Sequence, residues 1–280
     1  MRAIARELVA AVEGLAAIGP LPRVRRLLLP PAESRNSEFS AVELDDGSIG
    51  LSFALLGGAL AQLHAGKGAG IAGLPALELA RRYADEGEGV QRMLGFAAIN
   101  ALTRHLYGRA GYTPPPARGS MGDLDLGPGD HAGMVGLFPP LVKQVLATGA
   151  RLTVLELRED LLGSHEGWRV TRDAAELRHC NKVMSTSTVL LNDTLAELLG
   201  HCRGAERIAM IGPGAGCLPD ALFERGVTLL GGSWIVDAEG FKAALAAGMP
   251  WSAHARKTAI ARDAWPGAAA LLARAASVQR

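Results

Sequence analysis

Several short stretches of this chain combine residue types that can hold a ligand. Gly133-Met134-Val135-Gly136 runs into Phe138-Pro139-Pro140. Glycines let backbone come close to a bound molecule, and a proline suits the first turn of a helix. The stretch lacks the G-x-G-x-x-G spacing of a pyrophosphate cradle, so a nicotinamide dehydrogenase is not expected, and glycine for strand–helix packing with proline for helix start carries equal weight. Glu156 stands roughly twenty residues after the first glycine turn, where an acid commonly accepts ribose hydroxyls. The alternative is an exposed carboxylate paired with Arg158. Ser185-Thr186-Ser187-Thr188 is followed by Asn192 and Thr194. Such hydroxyls cap helices, but a run of them exceeds what a cap needs and could hold an anion together with free backbone amides. Gly212-Pro213-Gly214-Ala215-Gly216 and Gly231-Gly232-Ser233 read as flexible turns. Asn100 is a lone amide in an apolar helical pattern, which needs either a structural partner or a ligand.

Metal ligation by the chain itself is a separate possibility and a weak one. His179-Cys180 and His201-Cys202 place their side chains on diverging directions, at a spacing unlike common zinc sites. Cys180, Cys202 and Cys217 form an odd set without a disulfide pattern, so reduced thiols and no protein-held metal are expected. His131 and His105 read as surface or satisfied histidines, while His64 and His254 fall in irregular segments. No nucleophile–base pair is evident, so catalytic residues and any cofactor stay unassigned.

These residues need a scaffold that brings them together. Residues 3–17 carry Ile4, Leu8, Val12 and Leu15 at helical spacing. Runs at 24–29, 39–44 and 49–55 read as a three-stranded meander, with Asp45-Asp46-Gly47 as a hairpin turn. Patterns at 74–84 and 89–107 read as helices covering it. The Pro- and Gly-rich stretch 108–129 reads as a linker. After it, apolar runs at 132–137, 152–157, 182–187, 208–211 and 227–236 alternate with helical patterns at 139–148, 188–201, 218–225 and 238–247. A last helix is expected over 264–278. Strand–helix alternation demands right-handed crossovers and a mainly parallel sheet with helices on both faces. In such sheets ligands bind beyond the carboxyl ends of the strands, where all the turns named above would converge.

The whole composition agrees with that class. The chain has 280 residues, 49% of them hydrophobic and only 5% aromatic, with a formal net charge of +1. Scattered arginines and balanced charge argue against a nucleic-acid partner. Glu7 and Glu13 interrupt the N-terminal apolar stretch, and no run approaches the ~18 apolar residues of a membrane span, so a cytoplasmic protein without a membrane partner is expected. Apolar helices with few charges make a homodimer an expectation.

The chain also resembles a known family, the heavy-metal chelation proteins. The resemblance spans most of the chain and rests on Ala41-Val42-Glu43-Leu44, Ala98-Ile99-Asn100-Ala101-Leu102, Gly133 through Leu141, Ser187 through Asn192-Asp193-Thr194, and Gly212-Pro213 with Gly231-Gly232. It implies an α/β protein: an N-terminal α+β enolase-N-terminal-like domain, 1–112, then a Rossmann-like doubly wound, mainly parallel domain, 113–280, partly like methyltransferase domains. It also implies a site between the two, with Asn100 reaching in from the first, and a role with metal-chelating, pterin-like or flavin-like molecules. This sequence departs at Gly214-Ala215-Gly216, where a hydroxyl-bearing turn is expected, so any phosphate-like contact there must come from backbone amides. The resulting expectation is binding and transformation of a small polar metabolite linked to metal chelation or transport, with a chelated metal as a further partner. A non-catalytic small-molecule or heavy-metal binding protein is the alternative. The ligand-binding set is Asn100, Gly133, Gly136, Phe138, Pro139, Glu156, Ser185, Thr186, Asn192, Gly212, Pro213 and Gly231.

Overall fold

The structure is a computed structural model that describes residues 2–34, 38–54, 58–85, 89–192 and 194–277. Asp193, which shares in the resemblance, and the ends of the runs expected to reach 55 and 278 lie outside the described residues.

The first part opens with helix α1 (Arg2–Glu13), whose Ile4, Leu8 and Val12 are all buried, as their spacing requires. Strands β1 (Val24–Leu28), β2 (Phe39–Leu44) and β3 (Ile49–Phe53) form an antiparallel meander. The β2–β3 turn is held by Asp46, whose carboxylate accepts from the Ser48 amide and hydroxyl at 2.9 Å each. Short helices α2 (Ala59–Gln62) and α3 (Ala76–Arg81) lead to α4 (Val90–Arg109), which lies across β3 and β2. The approach is so close that a Cβ on Gly50 would collide with the backbone at Ala97 and Ala101, which explains glycine there.

The second part holds β4 (His131–Val135), α5 (Pro139–Ala147), β5 (Arg151–Leu155), β6 (Gly163–His165), β7 (Trp168–Thr171), β8 (Lys182–Thr186), α6 (Leu195–His201), β9 (Arg207–Ile211), α7 (Asp220–Phe223), β10 (Leu229–Ile235), α8 (Ala238–Ala246), β11 (Ala255–Ala261) and α9 (Ala268–Ser277). The strands form one sheet in the order β11-β10-β9-β8-β4-β5-β7-β6. It is parallel from β10 through β7, and antiparallel only at its two edges. The fold is thus mixed α/β with a mostly parallel sheet, as the alternating pattern requires. Alternate residues of the central strands enter different cores. Ala132, Met134, Val154 and Met184 pack under α5, while Val135, Val183 and Met210 join a core continuous with α1 and α4. The chain end returns to the first part, where α9 packs on α4 with Leu271 and Ala275 buried.

Three local expectations are corrected. The helix expected over 188–201 is a 3-10 turn, Ser187–Leu190, followed by the shorter α6; Thr186 caps the turn, and Asn192 takes the Thr194 amide and hydroxyl just before α6. The β6–β7 hairpin and β11 were not foreseen: β6 is three exposed residues, and in β11 buried Thr258 and Ile260 alternate with Lys257, Ala259 and Ala261, which are not buried. The linker is partly ordered by pairing, since Ala117 donates to the Lys257 carbonyl at 3.0 Å and Ala259 to that of Pro115 at 2.9 Å. Among the described residues no helix is long and apolar enough to cross a membrane.

Candidate functional site

The carboxyl ends of β4, β5, β8 and β9 surround a crevice of ≈ 710 Å³. Val135, Phe138, Leu155 and Leu157 give it apolar walls from the parallel sheet. The opposite wall comes from the meander, where Phe39 and Phe53 meet edge to face with ring centroids 5.6 Å apart. Polar groups enter at the strand ends: Glu156, Arg172, Thr186, Thr188 and Asn192.

Most of these polar groups are already hydrogen-bonded. Glu156 Oε2 accepts from the Leu137 amide at 3.0 Å, and Oε1 accepts from Leu157 and Arg158 amides at 2.8 and 3.2 Å. The carboxylate therefore ties the ends of β4 and β5 together. The expected pairing with the Arg158 side chain does not form, because that guanidinium binds Asp160 at 2.6 Å. Thr186 Oγ1 accepts from the Thr188 amide at 3.2 Å and lies 3.0 Å from its hydroxyl. Asn192 Oδ1 caps the approach to α6, accepting from the Thr194 amide at 3.2 Å and hydroxyl at 2.6 Å. Arg172 is paired with Glu159 at 2.5 Å.

Backbone amides are largely committed at two of the glycine-containing turns, the one before α5 and the one after β9. The first turn of α5 has prolines at 139 and 140, which carry no N–H, and the Leu141 and Val142 amides both donate to the Phe138 carbonyl. In the glycine turn after β9 the amides of Gly212, Ala215 and Gly216 donate to carbonyls of Gly231, Gly212 and Gly214, and Pro213 has none. Neither turn presents the row of free amides that cradles a pyrophosphate. Gly212 is fixed by geometry: its φ is +147°, and a Cβ there would strike Ser187 Oγ.

Seven of the expected residues line the crevice: Gly136, Phe138, Glu156, Thr186, Asn192, Gly212 and Pro213. Five fall elsewhere. Gly133 sits inside β4 against Leu177, Cys180 and Val183, Pro139 is exposed on the first turn of α5, and Ser185 is buried with only a 3.3 Å contact to the Thr186 carbonyl. Gly231 borders a neighbouring cavity of ≈ 320 Å³ that meets the crevice at Phe138, Gly212 and Pro213. Asn100 is 4% exposed and lines a different cavity of ≈ 160 Å³, on the other side of the 212–217 loop. Its Nδ2 donates to the carbonyls of Leu51 at 2.7 Å and Gly214 at 2.9 Å. The first part's contribution to the crevice is therefore Glu38, Phe39 and Phe53, of which the two phenylalanines were passed over as ordinary strand residues.

The three cysteines are buried and unpaired with one another. Burial pushes Cys180 and Cys217 up to about 12 and Cys202 to about 11, the environment of inert core thiols and not of reactive ones. Among the described residues no cluster of three His, Cys, Asp or Glu is placed to hold a metal ion. Five histidines among the described residues have hydrogen-bonding partners: His105 with Asp46, His131 with Thr153, His64 with the Pro30 carbonyl, His254 with Asp237 and His201 with Arg178.

Comparison with known proteins gives a consistent picture. Two family models, both described as "Putative heavy-metal chelation", match residues 121–262 and 37–103. A DUF364-family protein of unknown function from Desulfitobacterium hafniense is similar in structure with a TM-score of 0.66 and 22% identity, over 92% of this chain and 98% of that one. A DUF364-family protein of unknown function from Pyrococcus horikoshii has a TM-score of 0.66 and 18% identity, over 91% and 99%. At such identities the likeness is one of fold. No curated protein matches the chain.

Proposed function

The chain belongs to the DUF364 family, and from that premise we propose that its large crevice binds a small planar organic molecule of the chelator class, a metallophore or a pterin- or flavin-like compound. The carrying observation is that Phe39, Phe53 and Phe138 line the same ≈ 710 Å³ space as the strand-end acceptors Glu156, Thr186 and Asn192. Aromatic walls with a few fixed polar groups suit a flat ring system bearing hydrogen-bond donors. Metal in this reading arrives already held by the organic molecule, because no cluster of three potential protein ligands is found among the described residues. The crevice lies between residues 1–112 and residues 113–280, a two-domain division that we propose with it.

Binding is favoured over turnover by the state of the polar lining. Glu156, Thr186 and Asn192 each accept from backbone amides, which makes them rigid acceptors and leaves none of the three as a free base. The test is a fluorescence or thermal-shift titration of the full chain with a pterin, a flavin and a catechol, each with and without a divalent metal. Planar ligands should bind, and Phe53→Ala should weaken them by about tenfold, the scale of one lost aromatic contact. Stabilisation by metal alone, equal to that with the organic molecule, would overturn the reading. So would failure of every planar probe.

A further inference from the structure

The ≈ 160 Å³ cavity behind the 212–217 loop has a polar lining of another kind. Asn100, Arg104 and Tyr107 follow one another at four and three residues along α4, so all three lie on one stripe of the helix and reach the same space. Each carries a polar atom buried without a hydrogen-bond partner among the described residues: Asn100 Oδ1, Arg104 Nη1 and the Tyr107 hydroxyl. Tyr107 is 3% exposed and Asn100 4%. The amide orientation is fixed, because Nδ2 serves two carbonyls and so Oδ1 must be the free end. Unsatisfied buried groups are rare in native proteins, and three converging on one cavity call for an occupant.

The chemistry of that occupant follows from the three atoms. Arg104 supplies positive charge: its guanidinium lies 3.2 Å from the Trp234 ring centroid. Burial, with Arg256 nearby, lowers it to about 10, which leaves it charged at neutral pH. Asp46 partly offsets that lowering, but its own carboxylate is engaged by His105 and Ser48. Arg256 stands opposite Trp234 in the β10–β11 ladder and has its own Nε unpartnered. Neither Arg104 nor Arg256 has a carboxylate within ion-pair distance among the described residues. Tyr107 is kept neutral, since burial pushes its phenol well above the usual range, and it can donate or accept. Asn100 Oδ1 can only accept, so the occupant must also donate. The volume falls below the ~300 Å³ of ordinary ligand pockets, so it is a molecule of few atoms. An opening exists where exposed Gly47 and Val236 border the cavity.

We propose that this cavity is a second ligand site, taking a small oxyanion that also carries a hydroxyl, such as hydrogen phosphate or a short hydroxycarboxylate. The oxyanion sits against Arg104 and Tyr107, and its hydroxyl donates to Asn100 Oδ1. The site is independent of the crevice and of what the crevice binds.

The test is calorimetric titration of the full-length protein with inorganic phosphate and, separately, glycolate, at constant ionic strength set with chloride. One or both probes should bind at one site per chain, which also distinguishes a phosphate from a carboxylate source. Arg104→Met should weaken binding at least tenfold, the scale of a lost charged hydrogen bond, and Tyr107→Phe about fivefold. Arg203→Ala, which removes an exposed arginine, should leave it unchanged. Should Arg104→Met fail to fold, Arg104→Lys with Tyr107→Phe replaces it: binding persists in the first and weakens in the second. Absence of binding by both probes, the result expected if the cavity holds only water, overturns the proposal. Equal binding by wild type and Tyr107→Phe overturns it as well.

Discussion

The crevice and the small cavity flank the same loop, residues 212–217, and they treat their polar groups in opposite ways. In the crevice, Glu156, Thr186 and Asn192 are bound to nearby backbone and hydroxyl groups, so the polar surface is stiff before anything arrives. In the cavity, Asn100, Arg104 and Tyr107 end in atoms without partners. The loop itself is the divider. Its Gly214 carbonyl receives Asn100 Nδ2, while Gly212 packs on Ser187 on the crevice side. A bound polar group contributes to folding, whereas an unbound buried one costs free energy until a ligand satisfies it. Stability measurements therefore separate the two regions without knowledge of either ligand.

The largest effect is expected for Asn100→Ala, which removes the divider's anchor. Two buried carbonyls, of Leu51 and Gly214, lose their donor, and roughly 1–3 kcal/mol should be lost for each that stays dry. Urea denaturation measures this, and an unchanged midpoint would mean that the loop is held by other contacts. Glu156→Gln comes next, because one carbonyl oxygen replaces a carboxylate that serves three backbone amides. A loss of about 1–2 kcal/mol is expected by the same method, and an unchanged value would remove the claim that this carboxylate joins β4 to β5.

Asn192→Ala should cost about 1 kcal/mol, the scale of a lost local hydrogen bond, with the loss visible in the denaturation midpoint. The smallest effect belongs to the cavity. Tyr107→Phe deletes a hydroxyl that has no protein partner, so without added anion the stability should stay within ~0.5 kcal/mol of wild type or rise. A clear loss there would show that the hydroxyl is satisfied, and the contrast between the two regions would disappear.

Much of the architecture was legible because its signals are local. The apolar runs ending at Val135, Leu155 and Thr186 lie in parallel strands buried on both faces, which read as continuous hydrophobic stretches. The β6–β7 hairpin was not legible, because an exposed three-residue strand has no hydrophobic period to betray it. The helix expected over 188–201 failed for a different reason. Thr186 and Asn192 compete for backbone amides, which shortens the helix while leaving the apolar pattern intact. At the site, strand-end position brought Glu156, Thr186 and Gly212 to one crevice. Phe39 and Phe53 were missed, since a phenylalanine in a hairpin strand gives no sign of which distant part of the chain it will face. Arg104 and Tyr107 carried a usable signal, helical spacing from Asn100, that was overlooked.

The sequence by itself determined the parallel sheet, the meander and the convergence of turns at the strand ends, because periodicity and crossover handedness act within a few tens of residues. It also argued against a dinucleotide cradle before α5, since the G-x-G-x-x-G spacing is absent there. Only the tertiary structure decided that Asn100 faces a separate cavity, and that its two ends differ, one bound and one open. That outcome depends on where α4 meets a loop more than a hundred residues away, a distance across which no spacing rule reaches.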